Sequence, residues 1–284
     1  MKNSSRIWRR TLRPRAPLYL MLVLFTLSLA PAVFAGKSSI AYTKHKVLGI
    51  GAHVITINMN DLDVKLTPAV TKYGVGYSET FGAIINRTRP TAAITGTFFD
   101  TRSLRPVGDI MVDGEMVCRG VVGTAIGIGW NNEVEFIPTK CGKISEWSAF
   151  QSVLAAGPRL LSNGAKAVYP RGEGFRDPRF YSPRKRTAVG LTANNKLLFV
   201  TTTRPVYLSR LAKMMRALGA RDAATLDGGS STALYYRGRY LARPNRKLTN
   251  LLIAYDNLAA YEIARQHLAP AKTRVSSREA KEEG

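Results

Sequence analysis

The chain has 284 residues, 45% of them hydrophobic and 21% charged, which is enough apolar material for a folded core and excludes a wholly disordered protein. Lysine and arginine number 42 against 19 acidic residues, giving a formal net charge of +23. A charge of that size attracts polyanions, which include nucleic acids, phospholipid headgroups and anionic glycopolymers. The length favours a single domain with short additions at its ends.

The first 35 residues predict a secretory signal. Six basic residues without an acid precede an apolar run at 18–30, Pro31 breaks the run, and small residues surround a cleavage position after Ala35. A short membrane anchor is the alternative, although the run is shorter than the roughly 20 residues that a span requires. Loss of the six charges lowers the net charge from +23 to +17, so the exported domain is itself basic.

This signal predicts a periplasmic or secreted protein of a bacterial envelope. An exported protein does not meet nucleic acid, so none is expected as a partner. Contact with the membrane is expected only through the signal segment, if it stays uncleaved, and no oligomeric state is predicted.

The two cysteines, Cys118 and Cys141, predict one disulfide in an exported chain. Closing that loop could stabilise the fold by roughly 3 kcal/mol through loop entropy. Two free buried thiols are the alternative. With three histidines in the chain and the cysteines far apart, a zinc site lacks ligands.

Hydrophobic periodicity predicts a first half rich in strands. Strands are expected from residue 39 to about 66 with a turn at 60–61, then a helix at 79–87 capped by Ser78, then a buried strand from Ala92. Two hairpins follow, with turns at 113–114 and 131–132.

The second half adds one clear helix. Strands are expected at 188–191 and 197–200, a helix with its apolar face at Leu208–Leu218 closed by Gly219, and a short strand at 223–226. A hairpin turning at 237–238 and a last strand at 251–255 complete the pattern. We therefore predict one α+β domain at 36–268, with a mostly antiparallel or mixed sheet and few helices, followed by a disordered tail at 269–284.

The sharpest local motif is the segment 226–232, which reads Leu-Asp-Gly-Gly-Ser-Ser-Thr. Asp227 follows a strand, Gly228 and Gly229 let the backbone fold back and expose its N–H groups, and the hydroxyls of Ser230 and Ser231 add donors. A tight hairpin turn with a solvated aspartate is the alternative. We interpret the segment as a candidate site for an anionic or polar ligand.

Three further segments could carry chemistry. Arg184-Lys185-Arg186 stands at a strand entrance, where basic side chains can hold a phosphate, and a glycine and proline present Arg159 in a rigid turn. The third segment, at 95–100, joins a buried strand to Asp100.

The order of these motifs resembles the phosphodiester glycosidase domain, also called the uncovering-enzyme or N-acetylglucosamine-1-phosphodiester alpha-N-acetylglucosaminidase domain. The matching segments are Thr-Gly-Thr-Phe-Phe-Asp at 95–100, Gly-Pro-Arg-Leu at 157–160, Arg-Thr-Ala-Val-Gly at 186–190 and Leu-Asp-Gly-Gly-Ser-Ser at 226–231. Thr95 and Thr97 replace an asparagine and a glycine of the family pattern, and Ser230 replaces a third glycine. The resemblance spans roughly residues 47–255.

The resemblance implies hydrolysis of a sugar-1-phosphodiester on the glycosidic side, in an envelope glycan or glycoconjugate. The leaving phosphate requires cationic stabilisation, which Arg186 would supply, and the anomeric centre requires a carboxylate, for which Asp227 is the first candidate and Asp100 the second. The expected substrate-binding residues are Thr95, Gly96, Arg159, Thr187, Gly228, Gly229, Ser230 and Ser231.

Two other functions remain alternatives. A non-catalytic basic envelope protein would bind anionic glycan or phospholipid through charge alone. A serine hydrolase using Ser230 or Ser231 lacks the nucleophile-elbow pattern, and His45 and His53 have no motif that marks a base. A divalent cation would be calcium, since only oxygen ligands are on offer, but no loop motif points to one.

Overall fold

The computed structural model describes residues 38–139 and 142–270. Every pairing between its named strands is antiparallel, which confirms the predicted α+β class with mostly antiparallel sheet and few helices. The signal segment and residues 271–284 lie outside the described residues. Cys141 does too, so its pairing with the buried Cys118 stays a prediction. No helix in the described part is long and apolar enough to cross a bilayer.

Three sheets make up the domain. The strands in chain order are β1 (Ile40–Val47), β2 (Ile50–Asn58), β3 (Lys65–Val70), β4 (Ala92–Thr95), β5 (Ile110–Val112), β6 (Glu115–Cys118), β7 (Thr124–Gly129), β8 (Val134–Pro138), β9 (Phe150–Ala156), β10 (Arg159–Ser162), β11 (Ala165–Lys166), β12 (Thr187–Thr192), β13 (Lys196–Thr202), β14 (Ala220–Leu226), β15 (Leu234–Tyr236), β16 (Arg239–Ala242) and β17 (Asn250–Tyr255). The first sheet has the order β1-β2-β13-β12-β14-β10-β11, the second β16-β15-β4-β17-β3 and the third β6-β5-β9-β7-β8.

The helices are α1 (Phe81–Thr88), α2 (Leu208–Ala217) and α3 (Leu258–Ala264). The expected cap of α1 is wrong: Thr80, not Ser78, accepts the N–H of Ala83, because the helix begins two residues later. Phe81, Ile84 and Ile85 form its buried face as predicted.

The main core lies where the sheets face one another. Ile55 and Phe199 of the first sheet, Ile94 and Ile253 of the second and Leu154 of the third belong to one buried cluster. Ala269 is buried in the same cluster. On the outer face of the first sheet, α2 buries Leu211 and Met215. Its methionines are therefore core residues.

The hairpins that dipeptide turns predicted are present. Asp113 and Gly114 both have positive φ, 54° and 82°, between β5 and β6, and Gly219 closes α2 with a φ of 89°. The turn at 60–61 behaves differently, since β2 belongs to the first sheet and β3 to the second. The chain therefore crosses between sheets where a hairpin would have been the local expectation.

Candidate active site

Asp227 follows β14 directly, at the point where the chain leaves the first sheet for β15 of the second. The segment is therefore not a hairpin, because β14 and β15 do not pair. The backbone N–H of Asp227 donates to the carbonyl of Gly96 at 2.9 Å. This bond joins the turn after β14 to the loop after β4.

The two glycines of this turn are required for different reasons. A Cβ on Gly228 would stand 2.8 Å from the carbonyl oxygen of Lys185, closer than side chains tolerate. Gly229 has open space around its Cβ position but a φ of +58°, in the left-handed region. The backbone folds back here through both properties of glycine, close approach at Gly228 and positive φ at Gly229.

The carboxyl group of Asp227 sits in a half-buried position. Burial raises its pKa to about 6, and hydrogen bonds from Ser231 and from the N–H of Gly228 (2.9 Å) oppose that rise in part. The positive charges of Arg246 and Arg179 also lower the pKa. The group therefore changes its ionisation close to neutral pH, as acids at catalytic sites often do.

Arg246 and Arg179 are the cations near Asp227, and the sequence analysis named neither. The guanidinium of Arg246 lies 4.4 Å from the centre of the Phe99 ring. Its loop is tied to the turn that follows Asp227 by the N–H of Asn245, which donates to the carbonyl of Ser230 at 2.8 Å. Arg246 lies in a basic stretch at 243–247 that no motif marks, so only proximity in the fold identifies it.

Arg179 stands at the start of a short 3-10 turn, Pro178–Tyr181, and pairs with Asp177 at 2.5 Å. Arg186 holds this turn in place. Its Nη2 donates to the carbonyls of Ser182 (2.6 Å) and Arg179 (3.1 Å). Its Nε donates to the carbonyl of Val206 at 3.2 Å.

The side chain of Arg186 is buried, and burial lowers its pKa to about 10. Its donors serve backbone carbonyls, so the geometry favours a positioning role toward Arg179. The direct contact with a leaving group that we expected stays a prediction.

Arg159 pairs with Ala224 in the middle of β14, and its guanidinium reaches toward the start of that strand. Its Nη2 donates to Asp222 at 2.8 Å and its Nε to the carbonyl of Leu161 at 3.1 Å. Asp222 precedes Asp227 by five residues on an extended strand, roughly 16 Å. The structure does not bring the guanidinium of Arg159 to Asp227.

The backbone of the Gly157-Pro158 motif does contribute to the site. The N–H of Gly157 donates to the carbonyl of Thr225 at 2.9 Å, and the N–H of Thr225 donates to Pro158 at 3.0 Å. The hydroxyl of Thr225 donates back to the carbonyl of Gly157 at 3.1 Å. These bonds hold the strand two residues before Asp227.

Asn250 is a further residue that the sequence did not reveal. Its buried amide oxygen accepts the N–H of Thr97 at 2.7 Å, and a Cβ on Gly96 would fall 1.9 Å from that oxygen. Gly96 is thus a position of close approach, beside the buried Thr95 at the end of β4. An isolated asparagine at a strand start carries no motif.

Asp100, the second carboxylate candidate, is engaged in its own loop. Its Oδ1 accepts the N–H groups of Arg102 (3.0 Å) and Ser103 (2.8 Å) and the hydroxyl of Ser103 (2.9 Å). Those bonds lower the pKa of this exposed carboxyl group. Its interactions are those of a turn cap, and its proposed catalytic role stays a prediction.

Several buried hydroxyl groups have no hydrogen-bond partner among the described residues. Thr187, Thr97 and Thr232 are the three next to the site, and Thr187 pairs with Leu226 across the strands. Buried polar groups are normally satisfied, so these hydroxyls are candidates for contact with a bound ligand. Thr187 was among the expected binding residues.

The described residues do not assemble the alternatives that need histidine or metal. His45 hydrogen bonds Thr43, and His53 hydrogen bonds Tyr42 at 2.8 Å, so neither pairs with Ser230 or Ser231. Within 38–139 and 142–270, no group of three His, Cys, Asp or Glu side chains could hold a metal ion.

A sequence profile described as phosphodiester glycosidase matches residues 88–255, more than half of the chain. The chain belongs to the phosphodiester glycosidase family. This is a family of glycosidase-type hydrolases, and the matched residues include the turn at Asp227, the loop after β4 and Arg246. No curated protein matches the chain in sequence.

Three solved structures share the fold at low identity. A hypothetical protein from Synechocystis has a TM-score of 0.66 and 16% identity, with 76% of this chain and 61% of that one covered. The catalytic domain of zebrafish N-acetylglucosamine-1-phosphodiester alpha-N-acetylglucosaminidase, auto-inhibited by its pro-peptide, has a TM-score of 0.61 and 19% identity, with 77% of this chain and 83% of that one covered. A putative exported protein from Burkholderia pseudomallei has a TM-score of 0.58 and 14% identity, with 72% of this chain and 74% of that one covered. The chain thus spans less than two thirds of the Synechocystis protein.

Proposed function

We propose that the protein is an exported hydrolase that cleaves a sugar-1-phosphodiester of an envelope glycan or glycoconjugate on the glycosidic side. Family membership supports the reaction class. The observation that supports a particular site is the environment of Asp227. Its half-buried carboxyl group has a raised pKa and lies in a turn that requires two glycines and is flanked by arginines.

In the proposed reaction the bond between the anomeric carbon and the phosphate oxygen breaks. The electron pair stays with that oxygen, which leaves as part of a phosphomonoester, and water supplies the hydroxyl of the released sugar. The anomeric centre becomes positively charged in the transition state. Ionised Asp227 would stabilise that charge, directly or as a nucleophile.

The leaving phosphate gains negative charge as the bond breaks, so cations that contact it stabilise the transition state. Arg246 is the best placed for this, since it lies over Phe99 beside the turn and its charge reaches Asp227. Arg179 is the second, although Asp177 already neutralises part of its charge. Ser230 is exposed in the same turn, so its hydroxyl is available to the sugar, whereas the hydroxyls of Thr187 and Thr97 are buried.

The test is a release assay with a panel of sugar-1-phosphodiesters that differ in sugar and aglycone. We expect free sugar and a phosphomonoester in equal amounts. Parallel reactions with and without chelator test a calcium requirement. Release of a sugar phosphate in place of free sugar would place the cleavage between the phosphorus and the aglycone and contradict the proposal. In water labelled with oxygen-18, label in the phosphomonoester would place the cleavage between the phosphorus and the glycosidic oxygen and would contradict it as well.

The basic charge of the domain supports a second candidate, a protein that binds anionic glycan or phospholipid without turnover. Binding through charge alone weakens steeply as ionic strength rises. A protein that binds such ligands at low salt, releases no sugar from any substrate of the panel and is unaffected by changes at Asp227 would be of this second kind.

A further inference from the structure

Charge is distributed unevenly over the molecule. The strands of the first sheet, their connections and α2 cover 40–58, 159–166 and 187–226. They contain one acid, Asp222, which is paired with Arg159 and Arg221. The same segments contain ten basic residues, which are Lys44, Lys46, Arg159, Lys166, Lys196, Arg204, Arg210, Lys213, Arg216 and Arg221. This side of the domain is therefore strongly positive.

The positive charge meets exposed apolar side chains at one corner of the sheet. Arg210 donates to the carbonyl of Leu48, and Arg204 donates to that of Gly49 at 2.9 Å, so both guanidinium groups lie against the turn between β1 and β2. Carbonyls are neutral, and the two cations keep their full charge. Leu48 is 44% exposed and Tyr207, between the two arginines in sequence, is 54% exposed.

Three residues at this corner are of types that their local backbone conformation or helix position disfavours. Leu48 has a φ of 48°, a left-handed conformation that glycine or asparagine adopts with far less strain. Tyr207 occupies the N-cap of α2 and makes no side-chain cap bond, where serine or aspartate would be favoured. Arg210 stands in the first turn of that helix, where the helix dipole disfavours a cation and no acid is present.

Local rules broken together at neighbouring exposed positions indicate a function that outweighs the local cost. A groove of about 450 Å³ that Leu48 helps to line opens between β1, β2 and the C-terminal end of α2. Val47, Val54 and Leu198 give it an apolar floor, and His45 and Lys46 line its rim.

We propose that this basic corner, defined by Leu48, Tyr207, Arg204 and Arg210, docks on the surface of an anionic lipid bilayer. Leu48 and Tyr207 would enter the headgroup region, where apolar and aromatic side chains are favoured, while the arginines bind lipid phosphates. A soluble polyanion would use the cations but gain little from an exposed leucine. The bilayer is therefore the occupant that explains both kinds of residue.

The corner lies at the same end of the first sheet as the turn that follows Asp227. Leu226 pairs with Thr187, Thr187 with Thr201 and Thr201 with His53, which leads across the strands to the β1–β2 turn. Docking would thus hold that end of the sheet near the membrane. The proposal itself does not depend on the hydrolase activity.

The test is sedimentation with vesicles of phosphatidylcholine alone and of phosphatidylcholine with phosphatidylglycerol, using exported protein whose N-terminus has been sequenced. We expect binding to the anionic vesicles only. The decisive variant is Leu48→Asn/Tyr207→Ser, because asparagine accepts positive φ and serine is a good N-cap, so the fold should be kept or stabilised. We expect at least a tenfold loss of binding.

The charge variant Arg204→Gln/Arg210→Gln should bind anionic vesicles about twentyfold more weakly, since each cation near an anionic surface raises the affinity on the order of fivefold. Matched controls are Leu62→Ser, at a leucine that is 70% exposed at the opposite end of β2, and Lys72→Gln/Lys143→Gln. Both controls should bind like the parent protein.

Three results would overturn the proposal. They are no binding to anionic vesicles, equal losses in corner and control variants, or full binding by Leu48→Asn/Tyr207→Ser. In the last case, soluble polyphosphate that competes as well as vesicles would identify the corner as a site for anionic polymers.

Discussion

Two carboxylates on one strand have opposite surroundings. Asp222 accepts from Arg159 at 2.8 Å, from Arg221 at 3.2 Å and from the N–H of Asn163 at 3.2 Å. Asp227 lies just past the end of the same strand and has a raised pKa. It accepts hydrogen bonds from one backbone N–H and one serine hydroxyl, and arginines act on it only through their charge. The first carboxylate is held by three donors as part of the framework, and the second is left available for chemistry.

Pairing with arginine distinguishes the two acids: Asp222 is bound by two arginines, whereas arginines act on Asp227, the acid proposed for catalysis, only through their charge. The Gly-Pro motif suggested Arg159 as a phosphate ligand, but Arg159 forms an ion pair with Asp222. The arginines near Asp227 come from loops without a motif. Substitutions at the two acids, and at the residues that surround Asp227, separate a structural from a catalytic role.

The largest effect is expected for Asp227→Asn, which keeps the shape and removes the charge. If the carboxylate stabilises positive charge at the anomeric carbon, release of sugar should fall by about three orders of magnitude or more. Thermal stability should not fall, because the substitution also removes the cost of burying an ionised group. Normal turnover by the folded variant would refute the proposed mechanism.

Asp222→Asn should show the reverse pattern. It leaves Arg159 with a largely buried, uncompensated charge, so the free energy of unfolding should fall by about 2–4 kcal/mol. The activity of the folded fraction at a temperature well below the transition should stay within about twofold of the parent, since the reacting groups are untouched. Chemical denaturation and turnover measured on the same preparation separate the two outcomes, and a selective loss of turnover would move Asp222 into the site.

Much of the fold could be predicted from the sequence because its signals are local. Asp113-Gly114 sets a hairpin through two positive φ angles, and the spacing of Leu208, Leu211 and Met215 sets an amphipathic helix. The strand β9 was missed, and the turn at 60–61 gave no sign that β2 and β3 enter different sheets. Turn chemistry determines a local bend, whereas the choice of sheet depends on packing between distant segments.

The candidate site likewise has features that follow from local sequence and features that depend on packing between distant segments. That two glycines let the backbone fold back after Asp227 followed from the motif, because this is a requirement of the turn itself. Which glycine makes the close approach and which has the positive φ came only from the structure. The partner of an arginine depends on residues far along the chain: Arg159 and Asp222 are separated by 63 positions. Arg246 and Asn250 act on the site only because β17 and its preceding loop fold back onto it.

Arg246→Gln and Arg186→Lys form a matched pair. Loss of the Arg246 charge should slow turnover roughly ten- to a hundredfold with little change in melting temperature, since the side chain packs on a ring at the surface. Arg186→Lys keeps a charge but cannot reach three carbonyls on two segments, so it should lower the free energy of unfolding by about 1–3 kcal/mol. A slower Arg186→Lys enzyme with unchanged stability would restore Arg186 as the leaving-group ligand.

The pH dependence tests the ionisation of Asp227. Its pKa of about 6 in the folded protein predicts that kcat/KM falls about tenfold for each pH unit below 6, because protonation removes the active carboxylate. The raised pKa also means that the folded state holds this proton more tightly than the unfolded state does. The stability from this group is therefore present below about pH 4 and lost as the pH rises through 6.

Asp227→Asn should remove this part of the pH dependence of unfolding. Its gain in stability over the parent should be larger at pH 7 than at pH 4. A rate that falls above pH 6 and is maintained below it would assign Asp227 as the proton donor.

The smallest effect is expected at the second glycine of the turn that follows Asp227. Gly229 has a φ of +58° with nothing within 4 Å of its Cβ position, so Gly229→Asn should be tolerated, with a loss of less than about 1 kcal/mol in stability and a turnover within a few-fold of the parent. Gly228→Ala is the matched control. Its Cβ would stand 2.8 Å from the carbonyl of Lys185, so the backbone that donates to Asp227 must move. Equal damage by both substitutions would mean that the turn requires two glycines for a contact with substrate, and not for its own geometry.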